Sequence, residues 1–422
     1  MEMRKTWLFF LLLPALAQGV DLRALVRQSP GFRDLEAARA QAELALEAAR
    51  AGLAPTLAPQ GSYSRTPLGQ ESLSLGVGGS LPLLPWGPAW DNLRAAERAY
   101  RQSLLDLKAQ ENALFQKALS QYLDAYLAGL DLGVARKTLE LREAQLKAVE
   151  AQQARGQATF QALLEAQANL AQAQADALRA ELALSLARAR LEATLGTRVE
   201  PLSLSPPRVL PTLEEALKAK ERRPDVQKAR LALEEAEDLL AQARRDRFLP
   251  RVSVNVSGTE AGTGFGLGLD LKSGELSYAL QHALLGASQS GLTLQAQASF
   301  PLYSPSQDLG LRQKEEAVEQ AKRALENALS AAELDLRSKH QTLLQAQAQM
   351  GVASKLLEAA KNSLDTAQKR LEAGTGTRLE VAQAEVNLLQ AQRTWEGAVS
   401  ALLQAYYALL DAMGEALLGG EE

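Results

Sequence analysis

The sequence predicts a mainly α-helical protein with a small β part, made of long antiparallel helical hairpins and four strands. Three observations predict this. Long tracts consist of Ala, Leu, Glu, Gln, Arg and Lys with few aromatic residues, a composition typical of extended helices. Local motifs recur at a nearly constant offset, and short segments alternate apolar with small polar residues. The 422 residues carry a formal net charge of −4 with both signs interspersed, which argues against a nucleic-acid partner.

The chain contains two copies of one plan. Pro301 in SFPL lies 219 positions after Pro82 in SLPL, and Gly374 in EAGTGT lies 218 positions after Gly156 in ARGQAT. The closing LLDAMG follows LEATLG at the same offset of 218. Three landmarks within one residue of a common offset indicate an internal duplication. The sequence therefore predicts a first repeat at 18–196, a linker at 197–223, a second repeat at 224–414 and a tail at 415–422.

Each copy has the same order of elements. A helix comes first, and a proline ends it because proline cannot continue the helical hydrogen-bond ladder. A strand hairpin and a proline turn follow, and then a helix on the order of 100 Å long at 1.5 Å per residue. A glycine turn reverses the chain into another helix. The predicted ranges are 31–52 and 212–248 for the first helices, 56–82 and 250–301 for the hairpins, and 88–195 and 306–413 for the long helices.

The second hairpin is longer than the first. Pro82 follows Pro55 by 27 residues, whereas Pro301 follows Pro250 by 51, so the second copy carries 24 more. We interpret the additional segment, within 259–289, as an outer loop, and additional strands there are an open alternative. Its glycine spacing is only superficially that of a nucleotide-binding loop, since the strand–turn–helix order is lacking.

The predicted strands have one apolar face and one polar face. In ESLSLGVGGSL and GLTLQAQASF, apolar residues alternate with Ser, Thr, Gln and Gly. One interpretation is a soluble sheet packed on a core. The other, which we favour, is a transmembrane wall with its polar face toward a lumen. Four strands cannot close a barrel and open edges are not tolerated in lipid, so this interpretation requires several chains. The lipid-facing candidates are Leu73, Leu75, Val77, Leu81, Leu292, Leu294 and Phe300.

Residues 1–17 have the pattern of a secretory signal peptide, with a basic start, a compact apolar run and small residues before the expected cleavage after Ala17. A membrane anchor is the alternative, but the apolar run is short for a bilayer span. No later segment is apolar for long enough to form a transmembrane helix. An exported chain of this kind is either soluble or built into a membrane as strands.

The residue inventory predicts no enzyme, no cofactor and no metal site. The chain has no cysteine, which excludes disulfides and thiolate ligands. Its two histidines, His282 and His340, lie far apart without ligand spacing around them. No nucleophile or phosphate-loop motif occurs in a suitable context, so we assign no catalytic residue.

In their order and spacing, these features resemble the outer-membrane efflux protein (TolC-like) family over essentially the whole mature chain. The segments that carry the resemblance are LAP and FLP before the strands, SLPL and SFPL after them, the reversals ARGQAT and EAGTGTRLEV, and the closing LEATLG and LLDAMG. The resemblance implies a homotrimer. Four strands of each chain would form a twelve-stranded barrel in the outer membrane, and the helices would continue it as an α-barrel tunnel through the periplasm, with 197–223 near an equatorial belt.

The resemblance also implies a passive exit duct for efflux or type I secretion, working with a periplasmic adaptor and an inner-membrane pump. It places the adaptor contact and the gate at the helical reversals. The tip candidates are Gly156, Thr159, Gly374 and Thr377. The aperture candidates are Glu380, Gln383, Arg378 and Glu165.

Of the two positions that align with the acidic ring of the family, Glu380 and Gln383, only the first is acidic, which argues against a strong acidic gate. TRLE also fits a capping box, so Thr377 and Glu380 have a purely structural interpretation. Arginines near the tips are candidate partners for neighbouring acids, in pairs that are individually weak.

Four prolines mark the predicted junctions between strands and helices, because proline stops the ladder and fixes a turn. They are Pro82, Pro85, Pro301 and Pro305. Two rival functions are a tethering coiled-coil protein of the cell envelope and the periplasmic adaptor itself. The duplicated hairpins disfavour the tether, and the lack of a small β-rich module disfavours the adaptor.

Overall fold

A computed structural model describes residues 21–67, 71–285, 290–300 and 304–419. The predicted signal peptide and Pro301 lie outside the described residues. The helices are α1 (Leu22–Gln28), α2 (Pro30–Ala51), α3 (Pro88–Ala154), α4 (Phe160–Leu195), α5 (Leu213–Lys218), α6 (Pro224–Phe248), α7 (Pro305–Glu372) and α8 (Arg378–Ala412). The strands are β1 (Ala58–Arg65), β2 (Glu71–Pro82), β3 (Arg251–Glu260), β4 (Thr263–Asp270), β5 (Glu275–Leu285) and β6 (Gly291–Ser299).

The predicted fold class, mainly α with a small β part, is confirmed. Helices α3 and α7 contain 67 and 68 residues, so each is about 100 Å long. Both begin with a proline, Pro88 and Pro305, which suits the first helical position because its missing N–H has no intrahelical partner there. Each is followed by a short turn and a returning helix, α4 or α8.

The predicted number of strands is wrong. The described part of the chain has six strands in one antiparallel sheet, in the order β1-β2-β5-β4-β3-β6. The difference arises in 259–289, for which an outer loop was the favoured interpretation and additional strands the open alternative; this segment contains both β4 and β5. Glycines in TGFGLGLD suggested flexibility, yet they alternate with Phe265, Leu267 and Leu269, and this period-2 pattern is that of a strand.

The chain divides into two compact units, each described by itself. Among the described residues, one comprises 21–36, Lys108–Arg223 and 331–419. Its main core packs side chains of α1, α3, α4 and α8 with the C-terminal tail. The most buried members include Val26, Phe115, Tyr122, Leu123, Leu191, Leu195 and Leu417. A second cluster packs α5 on α7 and α8.

The linker between the repeats is tied to this unit by buried polar contacts. Tyr122 accepts a hydrogen bond from the backbone N–H of Leu202 at 2.8 Å. Glu396, only 5% exposed, accepts hydrogen bonds from Ser203 at 3.1 and 3.2 Å and from Tyr126 at 3.0 Å. Burial, assisted by the charge of Glu396, raises the pKa of Tyr126. A buried carboxylate with these donors is satisfied, and it holds the linker against two helices.

The other unit comprises Ala37–Leu107 and Pro224–Ser330, and it contains the sheet with α6 and most of α2. The sheet is continuous, since β2 pairs with β5 and β4 with both β5 and β3. Its strands join the long helices directly, because α3 follows β2 and α7 follows β6 along the chain.

Candidate channel wall and helical tips

Over most of their length, the six described strands place small polar residues on one face of the sheet and apolar residues on the other, and the charged Arg65, Glu71 and Glu260 stand at strand ends on the apolar side. Partners across the registers are small and polar on one face, such as Ser62 opposite Ser74 and Ser80 opposite Ser277. The hydroxyls of Ser62 and Ser74 are hydrogen-bonded at 2.8 Å. The members of this face, hereafter the polar face, are Thr56, Ala58, Gln60, Ser62, Ser64, Ser72, Ser74, Gly76, Gly78, Ser80, Arg251, Ser253, Asn255, Ser257, Thr259, Gly264, Gly266, Gly268, Asp270, Glu275, Ser277, Ala279, Gln281, Thr293, Gln295, Gln297 and Ser299.

The polar face carries an open concavity of about 460 Å³. None of the described residues that line it is charged, and among them are Gln60, Asn255 and Ser257. The charged members of the polar face stand at the strand ends next to the helices. They are Arg251, Asp270 and Glu275. A surface of hydroxyls, amides and glycines can hold water without attracting either sign of charge.

The opposite face, hereafter the apolar face, is exposed. Leu75 is 53% exposed, Leu292 72% and Leu294 70%. Of the predicted lipid-facing candidates, Leu73, Leu75, Val77, Leu81, Leu292 and Leu294 share this face, and Phe300 follows β6 directly. The inserted strands add Phe265, Leu267 and Leu280, which the sequence reasoning missed although they alternate with glycine or alanine. An exposed apolar area of this extent indicates an interaction surface.

The described part of the chain contains no helix that combines the length and the apolarity needed to cross a membrane. Within the same residues, no group of three or more His, Asp or Glu side chains is arranged to hold a metal ion.

The first helical tip is a glycine-terminated reversal. Gly156 has φ of +73°. Its N–H donates to the Gln153 carbonyl at 2.8 Å, and the N–H of Gln157 donates to the Gln152 carbonyl at 2.8 Å. Thr159 then starts α4, since its hydroxyl accepts a hydrogen bond from the N–H of Ala162 at 3.2 Å. The left-handed conformation explains why glycine ends this helix.

The second tip repeats this geometry at Gly374, where φ is +72°. Thr377 and Glu380 form a capping box: the Thr377 hydroxyl accepts from the N–H of Glu380 at 3.2 Å, and the Glu380 carboxylate accepts from the N–H of Thr377 at 3.1 Å. The structural interpretation of TRLE is therefore correct. The Glu380 side chain is nevertheless exposed, so capping does not bury its charge.

The other aperture candidates are exposed and make local contacts. Gln383 donates to Asn387 at 3.0 Å on α8, and Glu165 accepts from Gln161 at 3.2 Å on α4. Arg378 is exposed, and no described residue forms an ion pair with it. The structure thus places Glu380, Gln383 and Arg378 together at the start of α8 and Glu165 on a different hairpin.

Two ion pairs join α3 to α8 farther from the tips. Lys137 contacts Glu385 at 2.9 Å, and its hydrogen bond to this carboxylate raises the pKa of the ammonium group. Arg393 makes two hydrogen bonds, of 2.7 and 3.1 Å, to Asp131. The bond to Asp131 likewise raises the pKa of Arg393. No local sequence pattern predicts these contacts, because each joins residues more than 240 positions apart.

The predicted proline junctions lie where strand changes to helix. Pro82 is the last residue of β2, Pro85 lies in the bend before α3, and Pro305 is the first residue of α7. The bend is held by the turn between β4 and β5, since Gly274 accepts hydrogen bonds from the N–H groups of Leu83 at 2.8 Å and Leu84 at 3.0 Å. The fourth predicted junction proline, Pro301, is not among the described residues.

A model of the outer membrane efflux protein family matches residues 22–197 and 217–415. No curated protein sequence matches the chain. Three similar solved structures are outer-membrane proteins. VceC from Vibrio cholerae is 18% identical with a TM-score of 0.68, covering 94% of this chain and 95% of its own.

The CmeC outer membrane channel from Campylobacter jejuni is 15% identical with a TM-score of 0.68, covering 93% and 84% of the two chains. The open-state MtrE outer membrane channel from Neisseria gonorrhoeae is 20% identical with a TM-score of 0.65, covering 94% and 89%. At these identities the likeness shows the fold. The family model spans most of the chain, and the protein therefore belongs to the outer membrane efflux protein family.

Proposed function

We propose that three copies of this chain form an outer-membrane channel-tunnel, a passive exit duct for efflux or type I secretion. The observation that carries the proposal is the sheet, which has an exposed apolar face, an uncharged polar face over most of its length, and strands that run directly into helices about 100 Å long. A tether needs no such sheet, and a soluble protein would cover its apolar face.

Assembly from several copies follows from what a single chain leaves unsatisfied. Strands β1 and β6 are the two open edges of the sheet, and unpaired backbone groups are not tolerated in lipid. Helix α4 carries a row of exposed leucines, Leu178, Leu182 and Leu186, at 52–60% exposure. Helix α7 exposes Val352 and Leu356. Neighbouring copies would cover these rows and pair the edges, and three copies is the number that the family resemblance implies.

The apolar face would contact outer-membrane lipid and the polar face would line the lumen. This arrangement accounts for Leu75, Leu292 and Leu294 being exposed while their strand neighbours are serine, threonine and glutamine. The helices would extend into the periplasm. The proline junctions would mark the boundary between membrane and periplasm.

The helical reversals would form the periplasmic end. Gly156, Thr159, Gly374 and Thr377 would contact a periplasmic adaptor, which links the duct to an inner-membrane pump. The exposed Glu380, with Gln383 and Arg378 beside it, would line the aperture, and Glu165 would stand on the neighbouring hairpin. Two of the structural neighbours are outer membrane channels, one of them in an open state, which supports a gated duct. The duct itself would perform no chemistry.

Conductance tests the proposal directly. The purified protein, reconstituted in a planar bilayer, is expected to form trimers and to conduct ions in discrete steps. Fractionated cells are expected to hold it in the outer membrane. A bilayer that stays sealed, with the protein found in the soluble periplasmic fraction, would contradict the channel and favour a tether or an adaptor.

A further inference from the structure

The hairpin of β4 and β5 lies inside the sheet. Strand β5 pairs with β2 from Leu73 to Pro82, and β4 pairs with β3. In the first copy the corresponding hairpin has two strands only, so this pair is what the additional residues of the second copy build. The hairpin therefore separates β2 from β3, and the wall contributed by one chain is wider by two strands.

The inner end of this hairpin is locked to the junction between β2 and α3. Besides the two bonds to Gly274, the indole N–H of Trp86 donates to the Leu271 carbonyl at 2.9 Å. Gly87 has φ of +102°, and a Cβ there would stand 1.8 Å from the Ser273 carbonyl oxygen. Contacts this close tie the β4–β5 turn to the base of the wall, where an outer loop would have no reason to reach.

The two open edges of the sheet are suited to each other. All five pairings are antiparallel and the number of described strands is even, so β6 of one copy and β1 of the next would run antiparallel. The N–H of Thr56 donates to the Ser80 carbonyl, which fixes the alternation of the ladder. By that alternation, the backbone N–H and C=O groups of β6 that point toward the open edge of the sheet belong to Leu292, Leu294, Ala296 and Ala298. None of these is a proline.

On β1 the same alternation points the ring nitrogen of Pro59 toward the open edge. One donor is therefore missing near the start of β1, and Gly61, Tyr63 and Arg65 supply the remaining outward N–H groups. Because proline cannot donate to a ladder, Pro59 removes one hydrogen bond from this edge, and the other three outward N–H groups remain able to pair.

We infer that the assembled wall has eighteen strands, six from each of three copies. Twelve strands would require the β4–β5 pair to be excluded. Because barrel diameter grows about linearly with strand number, the lumen would be about one and a half times as wide as that of a twelve-stranded wall. Gly264, Gly266 and Gly268 leave most of the polar face of β4 without side chains. The inference rests on the trimer of the proposed function.

Pairs of introduced cysteines test the strand order. Since the chain has no native cysteine, every disulfide that forms involves the introduced pair. Ser80 and Ser277 are register partners on the polar face, at a pair that the alternation makes non-hydrogen-bonded, where side chains are closest. We expect S80C/S277C to form a disulfide within each chain when oxidised in outer-membrane preparations, seen as loss of both free thiols and as one linked peptide by mass spectrometry.

The matched control is S80C/S253C. Ser253 lies on β3, three strands away from β2 in the observed order, or roughly 14 Å at the usual spacing, too far for a disulfide. A disulfide in this control, with S80C/S277C left reduced, would place β2 beside β3 and overturn the eighteen-stranded wall.

A pair across the edges tests closure, in which Ser62 on β1 is joined to β6 by S62C/T293C, S62C/Q295C or S62C/Q297C. Because β1 and β6 occupy opposite edges, these disulfides are expected only between copies, giving trimers that dissociate on reduction. Trimers and conductance without the S80C/S277C disulfide overturn the strand number and leave the proposed function standing. Absence of both trimers and conductance overturns the proposed function, and the wall with it.

Discussion

Arg245, in the last turn of α6, donates hydrogen bonds of 2.5 and 3.3 Å to Asp91, in the first turn of α3. Two positions later Arg247 donates a 2.7 Å hydrogen bond to Asp308, in the first turn of α7. Each long helix thus begins with a carboxylate that the end of α6 holds. A carboxylate there also interacts favourably with the positive end of the helix dipole. One helix end therefore fixes the position of both long helices where they leave the sheet.

The pair of Arg245 and Asp91 is predicted to stabilise the unit that contains the sheet. Both side chains are mostly buried, at 20% and 15% exposure. Substituting R245A is expected to lower the free energy of unfolding by about 2 kcal/mol, the range for a hydrogen bond to a charged group. The adjacent R244A is the matched control, since Arg244 and Glu315 are both about half exposed and such pairs contribute about 0–1 kcal/mol. Chemical denaturation of the purified protein measures both, and equal losses would contradict the assignment.

The same pair predicts a loss of stability in acid. Burial alone would raise the pKa of Asp91, but its hydrogen bonds to Arg245 and Arg94 outweigh burial and hold the pKa below its usual value. A carboxylate with a depressed folded-state pKa stabilises the fold fully above the unfolded pKa, and this contribution disappears as the pH falls through the folded value. Asp91→Asn is therefore expected to be less stable than the wild type at pH 7. The difference should shrink below about pH 4. A difference independent of pH would show that the charge of Asp91 has no part in it.

Two adjacent residues on β6 lie on opposite faces of the sheet and allow each face to be tested separately. Leu294 on the apolar face is 70% exposed, and Gln295 lies beside it on the polar face. We expect L294R to cost about 2–4 kcal/mol within a bilayer and to reduce the amount of trimer in the outer membrane. Q295R should assemble normally and shift the conductance toward anions. Fractionation and reversal potentials measure these effects, and equal assembly of the two variants would indicate that the apolar face does not meet lipid.

Glu380 has both a capping role and an exposed charge, and the variant E380Q distinguishes them. Glutamine can replace glutamate in a capping box, so stability should change little. If the carboxylate lines the aperture, the variant loses cation preference and is blocked less by multivalent cations. E181Q is the control, since Glu181 is also exposed but lies in the middle of α4, away from both tips. Thr377→Ala, which removes the cap itself, should cost about 1 kcal/mol. Unchanged selectivity in E380Q would leave Glu380 with its cap alone.

The parts of the structure that the sequence predicts are those with a local cause. Alternation over ESLSLGVGGSL assigns the faces of β2, and glycine followed by threonine marks both helical tips. The strands β4 and β5 were missed, β4 because glycines at alternate positions have no strand preference of their own, and β5 although Leu276, Tyr278 and Leu280 alternate with small or polar residues. Pairing determines them, as at Gly268, where a Cβ would stand 2.5 Å from both Asn255 Oδ1 and Ser277 Oγ. The contact of Arg245 with Asp91 joins residues 154 positions apart and has no local pattern at all.

Close backbone approach at Gly79 gives the last prediction. A Cβ there would lie 1.8 Å from the Thr56 carbonyl oxygen and 2.9 Å from the Tyr278 hydroxyl, which donates a 2.5 Å hydrogen bond to that same carbonyl. Gly79→Ala must therefore displace the start of β1 or the tyrosine, at a cost of about 1–3 kcal/mol. Gly266→Ala is the control, since a Cβ there meets nothing within 4 Å. Because β1 is one of the edges that would close the wall, G79A is expected to reduce the yield of trimer as well as the stability of the sheet, and G266A neither. Equal trimer yields would show that the contact of Tyr278 with Thr56 does not set the position of this edge.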